Sequence, residues 1–188
     1  MASVDEGASI PELVEMLPEV SAPSSGFLYA NMNYVLLGSI IQHVTGRSLS
    51  KVLRSDVLHH LGLDGLRYPV HDALAADGCQ MESDPASLAR WGYELYGGSV
   101  LPPASLRAMT DFGDHFYGLG AIDMSDATTG TSGFGEPAIG HAGIDYGVNT
   151  LLVAFPRTGE VASVQAQGGS LSSLTPMIQE LLAVVREA

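Results

Sequence analysis

The sequence predicts an α+β fold in which helices come first and an antiparallel sheet, covered by a terminal helix, comes last. Two features of the 188 residues predict it. Up to about residue 112 the apolar side chains recur at helical spacing between capping residues, and from about Phe116 the runs become short, β-rich and punctuated by glycine. From Ser173 the helical period returns. Helices and strands segregated along the chain, instead of alternating, specify α+β.

The elements follow in order. Ser9-Ile10-Pro11-Glu12 forms a capping box that opens a short helix ending near Leu17-Pro18, and SAPSSG follows as a loop. The stretch GFLYANMNYVLLGSIIQHVTG predicts a helix over 31–45, with Asn31 as N-cap, an apolar set of Met32, Val35, Leu36, Ile40 and Val44, and Gly46 just past the end. Ser48 caps a second helix that stops at Gly62, Asp84-Pro85 a third that runs through Leu88, Trp91 and Leu95, and Pro102-Pro103 opens a short fourth through Met109. Trp91, Tyr93 and Tyr96, at helical offsets, read as core. FYGLGAID, VNTLLVAFP and EVASVQAQ are the strand runs, the last two joined by a turn at Arg157-Thr158-Gly159, and 124–140 is a loop. The closing helix places Ile178, Leu181, Leu182 and Val185 on one face.

Composition bounds the function. A chain that is 46% hydrophobic, with mean hydropathy +0.19, has the length and apolar content for one domain over 1–188, helical over about 9–112 and sheet plus terminal helix over about 113–188. Twenty-one acidic against eight basic residues, a formal charge of −13, oppose a nucleic-acid partner. Cys79 is the lone cysteine, so no intrachain disulfide forms and the cytoplasm is the expected compartment. Asp5, Glu6 and Glu12 stand where an export signal would be basic and apolar, and no apolar run approaches about 18 residues, so no membrane span is expected. His43, His59, His60, His71 and His115 have no metal-ligand spacing, and Gly118-Leu119-Gly120 lacks the third glycine of a nucleotide loop. No metal and no cofactor are expected.

Three stretches carry a resemblance. GFLYANMNYVLLGSIIQHVTGRSL resembles the Tyr-x-Asn segment of the serine β-lactamase and penicillin-binding-protein-like superfamily, in the branch of class C β-lactamases, esterases and D-amino-acid peptidases. DPASLARWGYELYGGSVLPPASLRAMT is similar to the helical stretch that follows there, and GHAGIDYGVNTLLVAFPRTGEVASVQAQGG to the strand bearing the third motif, Lys-Thr-Gly or His-x-Gly, with its hairpin. The three lie in the same order and cover the chain from about Glu12 to its end. The resemblance implies a β-lactamase-like fold, here partial, and assigns roles by position. Tyr29 matches the general base toward a serine hydroxyl, or that base's partner. Asn31 matches the residue that binds a substrate amide. His141 and Gly143 match the third motif, where the first residue contributes electrostatics and the strand edge takes substrate backbone; Asp145 and Tyr146 follow them on the substrate side. A phenol of pKa near 10 needs nearby positive charge to act as a base, which a protonated His141 would supply.

One departure governs the functional expectation. The family's first motif, Ser-x-x-Lys, is absent from the 28 residues before Tyr29. Ser48-Leu49-Ser50-Lys51 spells it later, but after the Tyr-x-Asn and with Ser48 explained as a cap, so it is rejected as the nucleophile. The upstream part would also supply strands and a central helix, so its absence bares a sheet edge that a complementing segment or a second copy of the chain would cover. Three readings follow. The first is a pocket that binds a small organic molecule and orients it for a non-covalent cyclisation or isomerisation in bacterial secondary metabolism, with Tyr29, Asn31, His141 and Asp145 as polar orienters. The second is the larger piece of a serine hydrolase, an esterase, D-amino-acid peptidase or β-lactamase whose Ser-x-x-Lys segment is supplied separately. The third is a non-enzymatic binding or assembly module. In each the partner is a small molecule or another polypeptide, not a membrane.

Overall fold

The computed structural model describes residues 15, 27, 29–63, 65–67, 81–128, 131–145 and 147–187. The capping box at Ser9–Glu12, the helix end at Leu17-Pro18, the SAPSSG loop, His71, Cys79 and Tyr146 lie outside them. The chain forms two compact units, Met1–Ser83 and Asp84–Ala188. Among the described residues no helix is long and apolar enough to cross a membrane.

In the first unit, helix α1 spans Met32–Thr45 and ends where Gly46 turns left-handed at φ 63°, its N–H donating to the Gln42 carbonyl at 2.9 Å. The expected Asn31 side-chain cap does not form. Asn31 takes helical angles (φ −56°, ψ −29°), whereas a capping side chain reaches back to the helix amides from extended backbone. Val35 and Gly38 are buried, while Ile40 and Val44 of the expected apolar set are exposed. Helix α2 (Leu49–Val52) continues through a π-helical stretch, Leu53–Leu58, into α3 (His59–Leu61), which Gly62 stops at φ 63°. Widening to i→i+5 bonding inside an otherwise continuous helix is not legible in a periodicity of 3.6. Arg47 spans this segment with a 2.8 Å ion pair to Asp56.

The second unit holds a four-stranded antiparallel sheet in the order β1 (Ile122–Asp123), β2 (Ile139–Asp145), β3 (Val148–Phe155), β4 (Glu160–Gln167). The strand expected over FYGLGAID shortens to its last two residues, because Gly118 and Gly120 bend the chain ahead of it, and β2 begins inside the expected 124–140 loop. Helix α4 (Pro85–Tyr96) opens on Asp84, whose carboxylate accepts from the Ser87 N–H at 2.8 Å and the Ser87 hydroxyl at 2.7 Å. It packs on β3 and β4 through Gly92, where an added Cβ would stand 2.7 Å from Leu152 Cδ1. Tyr93 is exposed, contrary to its expected core position, and Tyr96 is buried enough that its phenol is pushed up to about 12. Helix α5 covers Pro103–Met109.

Side chains alternate across strands, so the opposite face of β3 presents Leu151, Val153 and Phe155 to helix α6 (Leu174–Arg186). Met124, Phe155, Leu174 and Ile178 are at most 1% exposed in this core. Each fully buried side chain of this size contributes about 1.5–3 kcal/mol. Only part of the expected apolar face of α6 is used. Ile178 and Leu182 are buried, but Leu181, one step of about 100° from Leu182, and Val185, in the last turn, are 52% and 58% exposed. With Met177 and Val184 they form a second apolar stripe on the outer side. Among the described residues no strand pairs with the outer edge of β4.

Candidate active site

The six residues singled out by sequence divide between the units. Tyr29 and Asn31 lie in the first, at the mouth of α1. The Tyr29 ring is 44% exposed and stands 6.0 Å from the ring of Tyr34, one turn into the helix. Asn31 gives its backbone carbonyl to Tyr34 N–H at 2.9 Å, and its side chain makes no capping bond. The helix entry thus presents a phenol and an amide beside each other in sequence, as a Tyr-x-Asn motif requires.

His141, Gly143 and Asp145 lie in the second unit, on alternate residues of β2 and therefore on one face of it. Their partners on β3 are Leu152, Thr150 and Val148. Leu152 also touches α4 at Gly92, so this is the face away from α6. Tyr146 lies outside the described residues; Gly147, at φ 74°, precedes β3. Asn149 anchors that end, its amide donating to the Gly168 carbonyl at 2.9 Å.

The edge of β2 is the distinctive feature. Strand β1 pairs only with Ile139 and Gly140, and among the described residues no strand pairs with the stretch from His141 to Ile144 on the side away from β3. Alternate backbone N–H and C=O groups of such an edge point outward, a template for an extended ligand. Two glycines on this strand behave differently. At Gly140 an added Cβ would run into the Leu152 carbonyl, so the fold itself demands glycine. At Gly143 the nearest heavy atom would be Thr150 Cβ at 4.0 Å, and φ is not positive, so nothing within the fold requires it. A strand glycine without an internal reason marks a place where another backbone approaches closely.

His141 is half-buried, and burial pulls its imidazole below the ordinary 6.5; a backbone hydrogen bond at Ala142 acts in the opposite direction without cancelling it. Burial thus works against the positive charge considered for it. Its Nε2 lies 2.8 Å from the Tyr117 hydroxyl, the two rings meeting edge to face at 5.7 Å between centroids. Tyr117 was missed by sequence reasoning. It sits in FYGLGAID, where an aromatic residue fits a strand, and only the pairing of Ile122 with both Tyr117 and Gly140 brings it beside His141.

The Ser48-Leu49-Ser50-Lys51 match does not assemble a nucleophile. Ser48 has the extended backbone of an N-cap but its side chain makes no capping bond, which corrects the expected cap; its Oγ meets Ser50 Oγ at 3.3 Å, and Lys51 is exposed. Among the described residues no hydrogen bond joins Ser48 to Lys51.

A family model described as Beta-lactamase matches residues 2–182. Among solved structures, the chain is similar to a D-stereospecific amidohydrolase from Streptomyces sp., with 22% identity, TM-score 0.73, 90% of this chain and 59% of that one covered. It is similar to a D-amino acid amidase from Ochrobactrum anthropi SV3 complexed with L-phenylalanine, with 20% identity, TM-score 0.79 and coverage of 98% and 65%. It is also similar to an octameric penicillin-binding protein homologue from Pyrococcus abyssi, with 20% identity, TM-score 0.73 and coverage of 93% and 48%. These likenesses establish a shared fold, of which this chain spans roughly half to two thirds of each solved chain's length. Among curated proteins none matches.

Proposed function

The chain belongs to the β-lactamase family, and on that premise we propose that it forms the Tyr-x-Asn and His-x-Gly part of an acyl-serine hydrolase acting on a small amide or ester. The observation that carries this is the edge of β2 at Gly143, bare of side chain where the fold does not require it. A substrate laid along that edge is held by its own backbone groups. By the family's motifs, Tyr29 takes the role of base or of the base's partner, Asn31 that of binding a substrate amide, and Asp145 and Tyr146 are assigned to substrate binding. D-amino acid amides are the first substrates to test, because several of the structural neighbours are D-amino acid amidases or D-stereospecific amidohydrolases.

The nucleophile comes in this reading from a Ser-x-x-Lys segment outside these 188 residues. Its serine oxygen attacks the substrate carbonyl carbon while the proton passes to the base; the C–N or C–O bond breaks, the leaving group takes that proton, and water hydrolyses the acyl-enzyme. Two surfaces suit such a segment, whether it belongs to a longer chain or to a separate one. The outer edge of β4 can accept a strand, and the outer stripe of Met177, Leu181, Val184 and Val185 on α6 can accept an apolar helix face. A lone Cys79 fits the reducing cytoplasm as the place of work.

Fluorophosphonate labelling followed by peptide mapping tests this reading, on the 188-residue chain and on the protein isolated from its native host. The expected result is no stoichiometric adduct on the 188 residues alone, and label on a Ser-x-x-Lys serine in the native preparation, on the same or a co-purifying polypeptide. Label on Ser48 overturns the assignment of the nucleophile. No label in either preparation overturns the hydrolase, and leaves a pocket that orients a small molecule for non-covalent cyclisation or isomerisation.

A further inference from the structure

We propose that Tyr117 is a positioning residue for His141: its hydroxyl donates to Nε2, fixing the Nδ1–H tautomer and the plane of the imidazole beside the ligand-accepting edge of β2. The meaning of this contact for catalysis rests on the hydrolase reading; the contact and the tautomer do not.

The geometry begins with the backbone around Tyr117, which is held from several sides. Gly118 N–H donates to the Ala121 carbonyl at 2.8 Å, Leu119 N–H to the Met109 carbonyl at 3.0 Å, and Tyr117 bridges to Ile122, which pairs in turn with Gly140. Gly118 passes so close to the Met109 carbonyl that no Cβ fits between them. The phenol is therefore delivered to His141 by a constrained turn, and the 2.8 Å contact to Nε2 does not depend on a long flexible side chain.

Which atom donates depends on the ring tautomer. A neutral imidazole carries one N–H and one bare nitrogen, and a phenol with an ordinary pKa near 10 keeps its proton. The backbone at Ala142 acts on the ring in the sense that favours a proton on it. If the one ring N–H serves that backbone group, Nε2 is left as acceptor and Tyr117 must be the donor. Both nitrogens then have partners, and the imidazole cannot rotate without breaking the phenol bond, nor gain a proton at Nε2 without reversing it. His141 then serves the edge of β2 as a ring fixed in plane and tautomer.

Long-range proton–nitrogen NMR of the ¹⁵N-histidine-labelled chain at neutral pH tests the proposal, with His141→Gln to assign the resonances. The expected wild-type spectrum shows Nδ1 protonated and Nε2 as a bare, hydrogen-bonded nitrogen. In Tyr117→Phe the two ring ¹⁵N resonances should draw together as the tautomers mix, with backbone amide shifts away from 116–123 and 139–143 unchanged. An Nε2–H tautomer in the wild type, or ring resonances unmoved in Tyr117→Phe, overturns the proposal. Should Tyr117→Phe fail to fold, the wild-type tautomer alone decides. The measurement uses no substrate, so it can fail while the labelling experiment above succeeds, and the reverse.

Discussion

On one face of the sheet, Leu151, Val153 and Phe155 lie sealed beneath α6 with Met124, Leu174 and Ile178, all at most 1% exposed. On the other, β3 offers Leu152 to α4, but β2 offers His141, Gly143 and Asp145, which are half-buried or exposed. One strand serves both. Ala142 of this strand packs against the core, while His141, Gly143 and Asp145 carry the candidate chemistry. The difference teaches how a period of two lets a single β-strand be over-determined on one side and available on the other.

The contrast breaks first at the sealed face. Phe155→Ala removes a side chain that packs edge to face on Phe134 at 5.3 Å and lies under the Arg186 guanidinium, and the expected loss is about 3–5 kcal/mol in urea denaturation. A smaller but sharper test pairs the two glycines of β2. Gly140→Ala forces a methyl onto the Leu152 carbonyl, a backbone clash no rotamer relieves, and should cost about 1–3 kcal/mol. Gly143→Ala should leave stability within about 0.5 kcal/mol. If the edge binds substrate backbone, the same change lowers kcat/KM of the native enzyme by roughly 10- to 100-fold. Equal stability losses at both positions would mean that the edge is structural.

Next in size is the cap of α4. Asp84→Ala removes two hydrogen bonds from the helix start and should lower stability by about 1 kcal/mol, measured as a shift in the urea midpoint at unchanged slope. The smallest effect is electrostatic. Arg186 on α6 bonds both Glu160 and Glu136, and with the Thr158 hydroxyl it holds the Glu160 carboxyl down to about 2 from an ordinary 4.5. The folded state therefore binds fewer protons than the unfolded one in this range. The contribution is complete above about pH 4.5 and disappears as pH falls toward 2. These groups are open to solvent, so acid titration of α6 amide protection should show a modest loosening that Arg186→Gln abolishes.

Local chemistry made much of the fold legible. Gly46 and Gly62 end helices because only a left-handed residue can close them, Asp84-Pro85 opens α4, and Arg157-Thr158-Gly159 turns β3 into β4. Where a residue's role depends on backbone angles or on a neighbour far along the chain, the sequence misleads. Asn31 and Ser48 have capping side chains that do not cap, and the π-helical stretch at 53–58 breaks a period that looks regular. Leu181 and Val185 look like core but face outward, since composition states that a residue is apolar and not which apolar surface it meets. In the candidate site, His141 and Gly143 were visible as a motif, while Tyr117, 24 residues from His141, was not.

By itself, then, the sequence determined the order of helices and strands, the acidic surface that opposes nucleic acid, and the triplets Tyr29-Ala30-Asn31 and His141-Ala142-Gly143. These are properties of composition and of residues within one turn or one strand of each other. The tertiary structure alone decided that the edge beside Gly143 stays unpaired by any described strand, that Gly140 and Gly143 are glycine for different reasons, and that the His141 ring is half-buried beside the Tyr117 hydroxyl. Register, burial and hydrogen-bond pairing arise between segments distant in the chain, and those set the chemistry a side chain can perform.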